Sequence, residues 1–237
     1  MNYLAPFLFT EKLLPALEKS SMVQSSRIIQ VSSSMHLSTN GSSLIPNNPS
    51  SSSSSLSAPP ASELNTSIMH NIAAYGASKL AQIYHSRSLT RELKQKNKSS
   101  KIQIVSICPS WVATHIAGSF MKNILQLFAF DADGFGIAPI LFAMFHPHVG
   151  VNDNDFVGSC TILCMTNNFM KWTTQSLSMY GTDIMRQTVI AASGWVLMIF
   201  QKFFASVGFR ESSTESHDIE IQDALYEWSK KEISPWM

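Results

Sequence analysis

Two spacings of apolar side chains divide this chain into elements. In residues 2–18, Leu4, Phe7, Leu8, Leu13, Leu14 and Leu17 recur at helical intervals, and Pro15 is placed to kink or end that helix. After a serine-rich loop, Arg27-Ile28-Ile29-Gln30-Val31 is a short β-branched run that predicts a buried strand. Residues 38–67 change character: Ser50 to Ser55 is unbroken serine, with Pro46, Pro49, Pro59 and Pro60 around it. Such a segment buries too little apolar surface to offset its ordering entropy, so a flexible, looped-out insertion is expected. Ile72 to Lys96 carries Ala73, Ala74, Ala77, Leu80, Ala81, Ile83, Tyr84 and Leu89 on a broad apolar face. Arg87, Arg91, Glu92, Lys94 and Lys96 cover the remainder, with cations toward the C-terminal end where the helix dipole favours them. Ile102 to Cys108 is a second, almost continuously apolar strand, stopped by Pro109.

Strand, helix and strand (27–31, 72–96, 102–108) predict a right-handed crossover unit of a parallel sheet, and hence the α/β class. Further on, Ile116 to Phe130 reads as an apolar helical lid and Gly136 to His146 as a helix. Phe156-Val157-Gly158 reads as a short edge strand, Val189 to Phe209 as an amphipathic or buried helix, and Asp223 to Lys231 as a closing helix with Leu225, Tyr226 and Trp228 as its contacts.

Composition narrows the partners. The 237 residues favour one domain with a substantial core. A net charge of +1, from 17 basic and 16 acidic side chains, supplies no basic surface for nucleic acid. The three cysteines, Cys108, Cys160 and Cys164, form no disulfide framework and suit a reducing compartment. Cys160 and Cys164 lack a nearby second ligand pair, and His146 and His148 lack a third ligand, so no metal is expected. No signal peptide is recognised at Met1-Asn2-Tyr3-Leu4, and no apolar window is long enough to span a bilayer. A cytoplasmic location is therefore expected, with 187–209 either resting on a membrane surface or forming a buried helix. His36 follows the serines, where it could touch substrate, but it reads first as a loop histidine without a role.

The candidate chemistry lies in Tyr75-Gly76-Ala77-Ser78-Lys79 and Val31-Ser32-Ser33-Ser34. Residues four apart share a helix face, so the Lys79 ammonium can approach the Tyr75 phenol. A free phenol titrates at about 10, and a neighbouring cation stabilises the phenolate. Such a tyrosine can act as general acid toward a carbonyl and general base toward an alcohol. Serines beyond the carboxyl end of a strand sit where open α/β sheets hold their sites. Ser33 is the candidate to stabilise developing charge on a substrate oxygen, with Ser32 and Ser34 as neighbouring alternatives. By itself the Tyr/Lys spacing also fits a core-facing tyrosine beside a solvated lysine.

Four stretches together resemble the short-chain dehydrogenase/reductase family. Asn2-Tyr3-Leu4-Ala5-Pro6-Phe7-Leu8 is similar to the helix that supplies the family's catalytic Asn, and Arg27 to Ser33 to the strand that bears its Ser. Tyr75-Gly76-Ala77-Ser78-Lys79-Leu80-Ala81 is similar to its Tyr/Lys helix, and Cys108-Pro109-Ser110-Trp111-Val112-Ala113-Thr114 to the turn that meets the nicotinamide. The likeness covers about residues 2–160. The Trp-Val-Ala-Thr wording and Leu225-Tyr226-Glu227-Trp228 look most like the retinol-dehydrogenase-like and protochlorophyllide-reductase-like branch, with a 3-ketosteroid-reductase-like member as the alternative.

This resemblance implies hydride transfer between NADP or NAD, with NADP favoured, and a small lipophilic alcohol or ketone. Tyr75 would be the acid/base, Lys79 its partner and a ribose ligand, Ser33 the oxygen stabiliser, and Asn2 the holder of a relay water. Tyr75, Lys79, Pro109, Ser110, Val112 and Thr114 would touch the cofactor, and a homodimer through the Tyr/Lys helix follows by analogy. The implied fold is the C-terminal portion of a Rossmann-type doubly wound sheet over residues 1–237, lacking the first βαβ units, with 115–237 as substrate lid and C-terminal helical region. Roughly one hundred residues of such a fold would precede Asn2. The departures are Ser110 in place of the family's Gly, the lengthened path from Ser33 to Tyr75, and the absence of a Gly-x-x-x-Gly-x-Gly turn from the chain. The alternative expectation is a truncated, inactive fragment or a non-enzymatic interaction module.

Overall fold

The structure is a computed structural model that describes residues 2–39, 44, 64–96, 101–109, 112, 135–151, 155–160 and 206–237. The expected lid at 116–130, the middle of the serine-rich insertion, and residues 187–205 lie outside the described residues. The class is α/β, and four strands are described. The chain forms two compact units. The first comprises Met1–Cys108, His146–Phe156 and Arg210–Met237; the second comprises Pro109–Phe145 and Val157–Phe209. The C-terminal tail thus belongs with the N-terminal elements.

In the first unit, α1 (Leu4–Ser21) leads into β1 (Ser26–Val31). A 3-10 turn (Ser34–Ser38) follows, and α2 (Leu64–Lys96) leads into β2 (Ile102–Cys108). β1 and β2 are parallel, in register from Ser26 against Ile102 to Val31 against Ile107. The observed β2 coincides with the apolar run between Lys101 and Pro109. From Ile104 to Cys108 it is buried on both faces, as a strand covered on either side must be. β1 instead alternates: Ser26, Ile28 and Gln30 are buried while Val31 is 43% exposed. α1 continues past Pro15 to Ser21, beyond the expected end. An interior proline forfeits one backbone bond at a cost of about 3 kcal/mol; the burial of Phe7, Thr10 and Leu14 on the inner face of α1 offsets it. α2 begins at Leu64 rather than Ile72, so the end of the expected insertion is helix.

α4 (Ile219–Ile233) closes this unit, longer than the expected 223–231 because Asp218 caps it, accepting from the Ile221 N–H at 3.1 Å. Phe7, Leu14, Ile28, Leu89, Leu93, Ile104, Tyr226 and Ile233 form one core, joining α1, β1, α2, β2 and α4. Leu80, Ala81, Tyr84 and Leu225 form a second, beside which Trp228 packs half-buried. Gly150 has φ +70, and a Cβ there would lie 3.0 Å from the Gln103 Cβ on β2. Gly150→Ala is expected to destabilise the protein by about 1–2 kcal/mol, from the left-handed backbone penalty plus this contact; thermal unfolding followed by circular dichroism checks it, and an unchanged midpoint refutes it.

In the second unit, a 3-10 turn (Phe135–Ile137) precedes α3 (Ala138–Phe145), within the span expected for a helix. β3 (Phe156–Cys160) starts at the boundary of the first unit and pairs antiparallel with β4 (Ser206–Phe209), Val157 facing Phe209. The hydrophobic pattern predicted an edge strand at 156–158 and helix up to Phe209. The antiparallel partner removes that edge and draws Ser206–Phe209 into a strand, because pairing satisfies the backbone of both segments. The Phe209 and Phe142 rings meet edge-on at 5.4 Å. Such an antiparallel pair occurs in many otherwise parallel sheets. Among the described residues, no helix is long and apolar enough to cross a membrane.

Candidate active site

The carboxyl end of β1 and the middle of α2 bring the candidate residues of the first unit together. Tyr75 and Lys79 lie one turn apart on α2, and the Lys79 Nζ stands 5.5 Å from the centre of the Tyr75 ring. The ammonium donates to the Val31 carbonyl, the last residue of β1, at 2.8 Å, and to Gln82 Oε1 at 3.4 Å. Burial lowers the Lys79 pKa from its ordinary value, partly opposed by the neighbouring Cys108. The Ser78 hydroxyl donates back to the Tyr75 carbonyl at 2.7 Å, a contact that keeps it within its own helix.

The three serines after β1 separate in role. Ser32 is 2% exposed and donates to the Lys79 carbonyl at 2.8 Å, so it ties the strand end to the Tyr/Lys helix. Ser33 is half-buried and caps the 3-10 turn, its Oγ accepting from the Met35 N–H at 3.3 Å. That contact uses a lone pair of Ser33 and leaves the hydroxyl proton for another acceptor. Ser34 opens the turn itself.

Asn2 is exposed and precedes α1; it reaches the site through its main-chain carbonyl, which accepts from Gln82 Nε2 at 2.7 Å. The Gln82 amide thereby spans Asn2 and Lys79, its oxygen accepting from the ammonium at 3.4 Å. Pro109 and Val112 fall in the second unit, and Ser110 and Thr114 lie outside the described residues. A cleft at the opposite, amino-terminal ends of the strands is lined by Ser25, Thr90, Lys101, Gln103 and Gly150. Among the described residues no group of three side chains could hold a metal ion. His146 and His148 face each other with ring centres 5.6 Å apart.

Residues missed from the sequence are the ones that brace this site. His36, expected to be an idle loop residue, is 2% exposed. Its Nε2 accepts from the Ser213 N–H at 3.2 Å, so Nδ1 carries the proton and donates to the Ser33 carbonyl at 2.5 Å. Burial pushes its pKa down to about 4 despite the hydrogen bond to Ser33, with Arg87 pushing the same way and Glu215 opposing. His36 therefore pins Ser33, two residues after β1, to the segment before α4.

Arg87, expected on a solvated face, is 11% exposed. It forks onto Asp155 at 2.5 and 3.2 Å, and also donates to the Ser216 carbonyl at 2.7 Å and the Ser212 hydroxyl at 2.9 Å. A Ser-x-x-x-Ser pair and one aspartate distant in sequence carry no local signal that would have paired them with Arg87. Compared with models of known families and with curated proteins, the chain finds no match.

Proposed function

We propose that this chain carries the proton-transfer machinery of a nicotinamide-dependent oxidoreductase of the short-chain dehydrogenase/reductase type, acting on a lipophilic alcohol or ketone. The observation that supports this most directly is the stationing of the Lys79 ammonium on the same helix face as Tyr75, anchored to the carboxyl end of β1 where Ser33 begins. In this reading Tyr75 gives its proton to the carbonyl oxygen as hydride arrives at carbon, and takes one back in the reverse direction. The Ser33 hydroxyl donates to the same oxygen, while Lys79 stabilises the phenolate left behind. NADP or NAD would supply the hydride; Tyr75 and Lys79 would meet its ribose and nicotinamide. The proposed fold is part of a doubly wound Rossmann-type sheet.

A second reading, a non-enzymatic interaction module, is favoured by one sequence observation: none of the ten glycines forms a Gly-x-x-x-Gly-x-Gly turn. One experiment separates the two. The purified chain is titrated with NADPH and NADH and assayed against lipophilic aldehydes and ketones, beside its Tyr75→Phe variant. Under the oxidoreductase reading, cofactor binds saturably and turnover falls about 100-fold or more in the variant, the scale of losing a general acid. Equal turnover in the variant removes Tyr75 from the mechanism, and failure to bind either cofactor favours the module.

A further inference from the structure

We propose that Gln82 is the positioning residue of Lys79, an amide bridge that holds the ammonium at the end of β1 and sets its proton affinity. The catalytic meaning of this bridge rests on the oxidoreductase reading above; the bridge itself rests on geometry. Gln82 lies less than one turn beyond Lys79 on α2 and is 5% exposed. Its two ends have opposite partners: Oε1 accepts from the Lys79 Nζ at 3.4 Å, and Nε2 donates to the Asn2 carbonyl at 2.7 Å. Turning the amide over would set N–H against ammonium and oxygen against carbonyl, so these neighbours fix its orientation. Two of the three Lys79 N–H donors are then committed, one to Val31 and one to Gln82.

The bridge gives the Asn2 carbonyl a positioning part. A carboxamide does not ionise near neutrality, so Gln82 orients the ammonium without itself relaying a proton. The start of α1 is coupled to the ammonium through Gln82, because a shift of the Asn2 carbonyl moves the amide that Lys79 leans on. Burial already disfavours the charged form of Lys79, so a neutral acceptor beside it has leverage on its ionisation.

The test reads Lys79 directly. The side-chain carbon and nitrogen resonances of Lys79, assigned by comparison with Lys79→Arg, are followed against pH by NMR in the full chain and in Gln82→Glu and Gln82→Met. The carboxylate of Gln82→Glu is expected to raise the Lys79 pKa by about one unit or more. The near-isosteric Gln82→Met, which offers no oxygen, is expected to lower it. Opposite displacements are the signature, since a packing role alone would not reverse sign between the two variants. Circular dichroism identifies any variant that fails to fold, and Gln82→Leu takes the place of Gln82→Met where needed, so that the reversal of sign can still be read. Titration within about 0.3 unit of the parent in a folded variant overturns the proposal. Displaced titrations in a chain without turnover uphold the bridge and reject the oxidoreductase reading. Turnover in the parent, with titration and pH–rate profile unchanged in Gln82→Met, does the reverse.

Discussion

Arg87→Ala is expected to lower the stability of the protein by about 3 kcal/mol, with Arg87→Lys recovering only part of the loss. The guanidinium fork meets both Asp155 oxygens and also reaches Ser212 and Ser216, so one side chain ties α2 to the segments before β3 and before α4. Truncation strips the Ser216 carbonyl of this donor and leaves Asp155, 31% exposed, without the guanidinium. The Ser216 carbonyl keeps the Gln222 amide donor at 2.7 Å, so the loss is that of the charge-assisted fork between α2 and Asp155. Lysine restores a charge but not a planar fork, so it can serve one oxygen at a time. Urea unfolding of the three proteins measures this. An Arg87→Ala midpoint equal to the parent's, at equal slope, would show that the fork contributes nothing net.

Acidification from pH 7 to 4 is expected to cost about 3 kcal/mol of stability through His36 alone. The sign follows from the direction of its shift. In the folded protein His36 is held neutral: burial, helped by Arg87, pushes its pKa from 6.5 to about 4, and its Nε2 is already the acceptor of the Ser213 N–H. Unfolding restores the ordinary affinity, so between those two values the unfolded chain binds the proton the folded one refuses. The stabilisation is complete above about pH 6.5 and fades as the pH falls toward 4.

His85 contributes in the same direction, since burial lowers its pKa as well. Its Nδ1 faces the Gln30 amide at 3.3 Å, and its Nε2 lies 3.7 Å from Glu11 Oε1, beyond hydrogen-bonding reach. Glu92 acts lower on the scale. Burial pushes its carboxyl up, but hydrogen bonds from Lys230 and Lys96 outweigh this and hold it at about 2. Its contribution persists above about pH 4.5 and is lost as the pH falls toward 2. Urea midpoints measured from pH 7 to 4 should therefore fall in the parent and fall less steeply in His36→Gln, whose amide oxygen can accept from Ser213 without titrating. Parallel pH profiles for the two proteins would refute the assignment to His36.

The elements legible in the sequence were those whose signal is local. β2 was bounded by its own composition, an apolar β-branched run between Lys101 and Pro109, and it is found from Ile102 to Cys108. The start of α2 was hidden because Ser/Pro-rich composition dominates the approach to Leu64. β4 was read as helix because apolar residues without strong alternation suit either state, and a strand so short is decided by its partner. Arg87, His36 and Gln82 escaped for a common reason. Their partners lie 68, 125 or 129 residues away for Arg87, 177 for His36 at Ser213, and 80 for Gln82 at Asn2.

Tyr75 and Lys79 mark the division most clearly. That they share one face of a helix follows from helical geometry, and any chain with this spacing in a helix would have it. Where the ammonium goes is a different matter. The Val31 carbonyl and the Gln82 amide meet it, and the Asn2 carbonyl holds that amide, only because β1 and α1 pack against α2 and bring backbone groups from remote parts of the chain within hydrogen-bonding distance. A spacing along one helix sets which side chains can meet; burial against other elements sets which polar groups must be satisfied, and by whom.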